Sequence, residues 1–273
     1  MPYGLIAGAG RFPIAVLEAA RAQGIDMVVA AIREESAPEV ENYGYSTHWL
    51  GLGQLGKLIR VFRRAGVSQA IMAGQVKHKQ IFGLSVPDLT MIRMLAGLKQ
   101  KNTSALIGGV AHVLSDAGIT LIDSTALTPH LLVPAGLLTR RDLNSREKKD
   151  VAYGRPIVQQ IAGMDIGQTI VVRNQAVIAV EAMEGTDQAI RRAAELAHGK
   201  HLTVIKVSRP QQDMRFDVPV IGLPTLEVMI ECGATALAVD AQRTLLFDRE
   251  PFVALADQNS LAVVGMPPFS LGS

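Results

Sequence analysis

Two apolar runs near the start of the chain leave little choice of architecture. Tyr3 to Ala7 is apolar throughout, and so is Met27 to Ile32, with an alanine-rich stretch from Ile14 to Gln23 between them. A strand with no polar face is buried on both sides, which happens where helices cover both faces of a parallel sheet. Strand, Gly8-Ala9-Gly10, a helix closed by Gly24 and a second strand make a βαβ unit, whose crossover is right-handed. The pattern continues through strands at Thr47 to Leu50, Gln69 to Ala73 and Ile119 to Ile122. Helices are predicted over Leu55 to Ala65, Leu89 to Leu98 and Ser104 to Ala117.

A boundary falls between Asp123 and Asp150, where Pro129, Pro134 and Gly136 precede the charge run Arg140 to Asp150. Asn144 with Glu147 three residues later predicts a capping box and a helix to about Ala162, which makes the charge run an exposed helix N-terminus. Strands then follow at Thr169 to Val172 and Val177 to Val180, joined by the hairpin signal Arg173-Asn174-Gln175. A helix from Asp187 to His198, N-capped by Thr186, leads to a strand at Leu202 to Val207. Beyond come a helix at Thr225 to Cys232, strands at Ala236 to Val239 and Thr244 to Phe247, a helix near Pro251 to Asp257 and a strand at Leu261 to Val264. The fold class is α/β, with a parallel-sheet domain over residues 1–130 and a mixed α/β domain over 131–273.

Composition excludes several functions. Aromatic residues are 4% of the 273 and net charge is +2, so neither base stacking nor a nucleic-acid electrostatic footprint is indicated. The basic clusters Arg60, Arg63, Arg64 and Arg140, Arg141 are short and read as solvated helix faces. Cys232 is the only cysteine, which rules out a disulfide framework and fits a reducing compartment. No basic leader precedes the first strand and no run of about 18 apolar residues exists, so a cytoplasmic protein is expected. A peripheral contact with the membrane surface and a homo-oligomer are both compatible with this.

The densest chemistry lies in Lys206-Val-Ser-Arg-Pro-Gln-Gln-Asp-Met-Arg-Phe-Asp-Val-Pro219. Two carboxylates, Asp213 and Asp217, and three cations, Lys206, Arg209 and Arg215, share a loop stiffened by Pro210 and Pro219. Acids there can hold a divalent metal or direct a water while cations hold phosphate oxygens. Other candidates stand at strand ends, where α/β sheets bind ligands. Gly8 and Gly10 let the backbone approach a phosphate at a helix N-terminus, although Pro13 replaces the third glycine of a dinucleotide fingerprint. Lys77 or Lys79 either holds a phosphate or sits in a solvated turn. Asp123 is a metal or substrate contact, or a turn-capping residue. Thr186 either binds a phosphate oxygen or only caps its helix. Glu181, Glu184 and Asp187 are candidate metal ligands, with Asp187 also suited to complement the helix dipole. Met91, Met94, Leu95 and Leu98 either line a lipid pocket or pack in the core.

These segments together resemble the UDP-2,3-diacylglucosamine pyrophosphatases of lipid A biosynthesis. The resemblance runs over nearly the whole chain. It is carried by Gly4 to Pro13, Ala73 to Lys77, Asp165-Ile-Gly-Gln168, Ala179 to Asp187, and Lys206 to Gly222. It implies an N-terminal Rossmann-like domain, a distinct C-terminal domain with substrate between them, and Mg²⁺-dependent attack of water on the pyrophosphate of UDP-2,3-diacylglucosamine. The products would be UMP and 2,3-diacylglucosamine 1-phosphate. One aspartate of the Gln212-Asp-Met-Arg-Phe-Asp217 segment is implied as essential, with Asp217 favoured over Asp213, and Glu181 is a further candidate for the metal. Lys77, Asp123, Thr186, Lys206, Gln212 and Arg215 would contact substrate, with Gly8 and Gly10 allowing its approach. Two rival readings are a nicotinamide-dependent oxidoreductase, from the G-x-G, and a non-catalytic binder of lipid or nucleotide.

Overall fold

The computed structural model describes residues 1–75, 87–98, 103–216 and 218–267. The chain divides into two compact units. The first is Met1–Pro129 together with Met214–Phe216, and the second takes the described remainder from His130 onward.

In the first unit β1 (Tyr3–Ala7), α1 (Phe12–Ala22), β2 (Met27–Ile32), β3 (Ser46–Leu50), α2 (Leu55–Arg64), β4 (Gln69–Ala73), α3 (Leu89–Gly97), α4 (Thr103–Asp116) and β5 (Thr120–Leu121) follow in order. The five strands form one parallel sheet in the order β3-β2-β1-β4-β5. All six residues of β2 are buried, as its unbroken apolar run requires. Chain order reverses between β1 and β4, so their carboxyl ends flank the crevice where such sheets take ligands. Phe62, Leu50, Leu114 and Ile119 form the core with Met91 and Met94. Those two methionines are therefore core residues, while Leu89 and Ile92 on the same helix face outward.

The second unit contains β6 (Gly136–Leu137), α5 (Ser145–Gly163), β7 (Thr169–Arg173), β8 (Ala176–Val180), α6 (Thr186–Ala197), β9 (Leu202–Lys206), β10 (Val220–Ile221), α7 (Leu223–Glu231), β11 (Ala234–Asp240), β12 (Leu245–Leu246), α8 (Arg249–Gln258) and β13 (Ala262–Met266). Six strands make a mixed sheet, β6-β13-β11-β9-β7-β8. The β13–β11–β9 core is parallel, and β6, β7 and β8 are antiparallel to their neighbours. Side chains alternate between two cores. Ile170, Val172 and Ile205 pack with Val151 and Val158 of α5, whereas Val171 and Val204 pack with Ile190 of α6, Met229 of α7 and Phe252 of α8. Asn174 and Gln175 both have positive φ, 51° and 57°, as a two-residue hairpin with right-handed strand twist demands.

Three expectations change. Thr244 to Phe247 contracts to β12, which pairs in parallel with β10. β6 forms inside the proline-rich stretch read as linker. The charge run from Arg140 is not a solvated helix start, because Glu147 and Asp150 are fully buried. Asn144 does form the capping box, but Glu147 also accepts both terminal nitrogens of Arg141, at 2.8 and 3.1 Å, and the hydroxyl of Thr235 at 2.6 Å. Asp150 accepts the Gln175 amide at 2.6 Å and so fixes the hairpin turn to α5.

Burial alone would push the Glu147 carboxyl up, and the hydrogen bonds from Arg141, Thr235 and the Asn144 amide outweigh it and hold it below its ordinary value of 4.5. A depressed carboxyl stabilises the fold above its unfolded pKa, and that contribution is lost as pH falls through the folded value. Arg141→Ala strands a buried carboxylate and should cost about 3 kcal/mol at pH 7. Urea midpoints of wild type and variant should converge as pH drops below the ordinary glutamate range. A gap that persists into acid would mean that packing, not charge, is what Arg141 supplies.

Candidate functional site

At one end of the second unit's sheet, three chain segments meet around one cation. Lys206 is the last residue of β9 and pairs in register with Thr169, the first of β7. Glu181 follows β8, and its amide donates to Thr169 O at 2.9 Å. Lys206 Nζ donates to Thr186 Oγ1 at 2.7 Å, and Thr186 Oγ1 donates to Glu181 Oε1 at 2.9 Å. The Thr169 hydroxyl stands 3.3 Å from that of Thr186, and the Gln168 amide donates to Glu181 Oε2 at 3.3 Å. Asp187 accepts the Thr225 hydroxyl at 2.9 Å.

Part of the Lys206 side chain reaches the surface, but its ammonium is desolvated. Burial pushes it below its ordinary value of 10.5, against the pull of Glu181 and Asp187. A partly compensated cation beside the first turn of α6 favours an anion at that point. Gly185 is the N-cap of α6, with φ at 85°, and makes no side-chain cap. Thr186 is therefore not the cap that its residue type suggests: its hydroxyl is committed to Lys206 and Glu181.

The neighbouring loop is fixed by bonds no local pattern announces. Val207 N donates to Gln168 O at 2.9 Å. Asp240, buried at the end of β11, accepts the amide and the hydroxyl of Ser208, both at 2.8 Å, and pairs with Arg155 at 2.9 Å. Arg209 pairs with Asp165 at 2.8 Å. Gln212 closes the turn: its Oε1 accepts the Arg209 amide, and its own amide donates to Arg209 O. The Gln212 Nε2 and Gln168 Oε1 atoms are buried without a hydrogen-bond partner. Gly167 is dictated by close approach, since a Cβ there would collide with the carbonyl of Glu181. Asp240, Ser208 and Arg155 escape sequence reasoning; the one trace is an acid ending an apolar strand.

In the first unit, Gly8 and Gly74 have a packing reason to be glycine. The amide of Ala9 donates to Gln75 O at 2.7 Å and the amide of Gln75 to Ala9 O at 3.0 Å. A Cβ on Gly8 would lie 2.7 Å from Gln75 O, and one on Gly74 2.5 Å from Ala9 O. Gly10, at φ +89°, faces open space. Asp123 is exposed, and its Oδ1 accepts both the amide and the hydroxyl of Thr125, at 2.7 Å each, so it caps a turn. Its neighbour Ser124 is buried and holds Met214–Phe216. The Ser124 amide donates to Met214 O at 2.9 Å, and its hydroxyl lies 2.7 Å from Met72 O and 2.5 Å from Arg215 O. Arg215 is exposed, with its guanidinium 5.7 Å from the centre of the Phe216 ring.

Asp213 is half-buried. Asp217, Lys77 and Lys79 lie outside the described residues. Among the described residues no group of three His, Cys, Asp or Glu side chains could hold a metal ion. Glu181 already serves two donors beside an ammonium, which supplies the positive charge a metal would bring. Among the described residues no helix is long and apolar enough to cross a membrane.

Residues 2–131 match the LpxI N-terminal domain and residues 134–264 the LpxI C-terminal domain. A protein named UDP-2,3-diacylglucosamine pyrophosphatase LpxI, from Caulobacter vibrioides, is 30% identical over 275 residues, covering 97% of each chain. Solved structures offer only distant likeness. The biotin carboxylase subunit of pyruvate carboxylase matches at TM-score 0.26 and 16% identity, over 71% of this chain and 42% of that one. A biotin carboxylase domain of a single-chain bacterial carboxylase matches at 0.27 and 12%, over 78% and 60%. Such scores carry no argument about fold or function.

A lysine whose folded pKa is depressed loses its proton in the native state before it does in the unfolded chain. Between those two values the unfolded chain binds more protons, so stability rises with pH. The wild-type urea midpoint should therefore climb as pH rises from neutral toward the ordinary lysine value of 10.5, and that rise should flatten in Lys206→Met. Parallel curves for the two proteins would mean that the ammonium is solvated.

Proposed function

Because the chain belongs to the LpxI family, we propose that it hydrolyses the pyrophosphate of UDP-2,3-diacylglucosamine to UMP and 2,3-diacylglucosamine 1-phosphate. The observation that carries this reading is the desolvated Lys206 ammonium on Thr186 at the start of α6. A cation held in low dielectric binds a phosphate oxygen more strongly than a solvated one does. The relative's printed name supplies the substrate, and the Lys206–Gly222 segment supplies the acids.

In this reading a water oxygen forms a bond to one phosphorus, the bridging P–O bond breaks, and the two monophosphates leave. Asp213 or Asp217, with Asp217 favoured, orients that water or takes its proton. Lys206 and Thr186 hold phosphate oxygens, and Glu181 keeps Thr186 in place rather than serving as a metal ligand. Mg²⁺ takes one or two carboxylates plus phosphate oxygens and water, and Asp213 and Asp217 would be the carboxylates that hold it. When bound, the ion would neutralise the charge that develops on the phosphate oxygens. The free thiol Cys232 suits a reducing, cytoplasmic setting.

The test is UMP release from UDP-2,3-diacylglucosamine with Mg²⁺ or with EDTA. Wild type should turn over only with metal. Asp217→Asn should lose at least about 100-fold, and Lys206→Met roughly 100-fold to 1,000-fold, in kcat. Full activity in Asp217→Asn would move the essential acid to Asp213. Binding of the lipid 1-phosphate without any turnover by wild type would leave a non-catalytic binder and end the hydrolase reading.

A further inference from the structure

Beside the Lys206 cluster the second unit exposes three large apolar side chains on two loops. Met164 and Ile166, which follow α5, are 63% and 47% exposed, and Met183, which follows β8, is 80% exposed. The two loops meet where Gly167 and Gln168 touch Glu181. Glu181 bonds to Thr169 and Gln168, and Gly167 packs directly on the Glu181 carbonyl. Single exposed hydrophobics are ordinary, but an apolar cluster on adjacent loop tips marks an interaction surface. Two ion pairs flank it, Arg209 with Asp165 at 2.8 Å and Arg192 with Glu184 at 2.6 Å. The rim therefore offers apolar bulk with little net field.

We propose that Met164, Ile166 and Met183 insert into the surface of a lipid bilayer, holding the Lys206 end of the sheet against the membrane. The inference deepens the pyrophosphatase reading and rests on it for the occupant: a diacyl substrate resides in a bilayer. Protruding loop tips with flexible methionines suit disordered acyl chains better than a shaped protein partner. Since the local charges are paired, attachment comes from apolar insertion and does not require anionic lipid.

The test is flotation of the full chain with phosphatidylcholine vesicles at about 0.05 M and 0.5 M salt. Wild type should float equally at both. Each of Met164→Gln, Ile166→Gln and Met183→Gln should weaken partitioning by about tenfold, and the triple variant should stay in solution. Leu196→Gln is the control: Leu196 is 64% exposed but stands ten residues along α6 from Thr186, about 15 Å away, and should change nothing. The triple variant should keep wild-type UMP release from a water-soluble, short-chain analogue. Failure of wild type to bind neutral vesicles overturns the proposal. So does binding confined to anionic vesicles and abolished by salt, which would belong instead to the first unit's cleft of about 560 Å³ lined by His48, Lys57, Arg60 and Arg64. A fall in oligomeric mass in the triple variant, with vesicle binding unchanged, would assign the rim to a second copy of the chain. Absence of UMP release with flotation intact would remove the hydrolase and leave the rim standing.

Discussion

An ammonium taken out of water must be compensated locally, and the second unit is organised around that requirement at Lys206. Its Nζ is met by the Thr186 hydroxyl, and that hydroxyl by Glu181. Lys206 ends β9, Thr169 begins β7 and Glu181 follows β8, so three neighbouring strands meet at one charge. The compensation is incomplete, as the lowered Lys206 pKa records. An anion arriving there relieves an existing electrostatic cost as well as adding a contact. A fully solvated cation offers no such relief, because water already screens its charge.

The fold was legible wherever burial acts along consecutive residues. β2 declares itself by six apolar residues in a row, and the hairpin turn by Asn174-Gln175, because both signals are local. Asn144 with Glu147 reads as a capping box for the same reason. What stayed hidden depends on partners distant in sequence. Glu147 is buried because Thr235, 88 residues away, and Arg141 close over it. β10 and β12 are two residues each and exist only as a pair, so neither carries a period of its own.

The site was legible in composition more than in geometry. Lys206, Thr186 and Glu181 could be nominated from the sequence, but their union needed the sheet register. Thr186 has two readings in the sequence, and the cap reading gives way because the Lys206 ammonium takes the hydroxyl and Gly185 takes the cap position. Asp123 kept two readings, and the observed one is the turn. The prolines suggested a stiff charged loop, yet Asp240, Asp165 and Gln168 do most of the fixing. The family resemblance is spread over many short segments, none of which is informative alone.

The chain leaves the second unit after Asp213, contributes Met214–Phe216 to the first, and returns. Ser124 is buried and takes two hydrogen-bond partners from that excursion, Met214 O for its amide and Arg215 O for its hydroxyl. The first 129 residues by themselves therefore lack three residues of their own unit and expose the groups of Ser124 that those residues satisfy. In evolutionary terms the halves are not interchangeable cassettes. A recombination event at the junction near Pro129 would separate Ser124 from three residues of its own unit, so sequence changes in the two halves constrain one another.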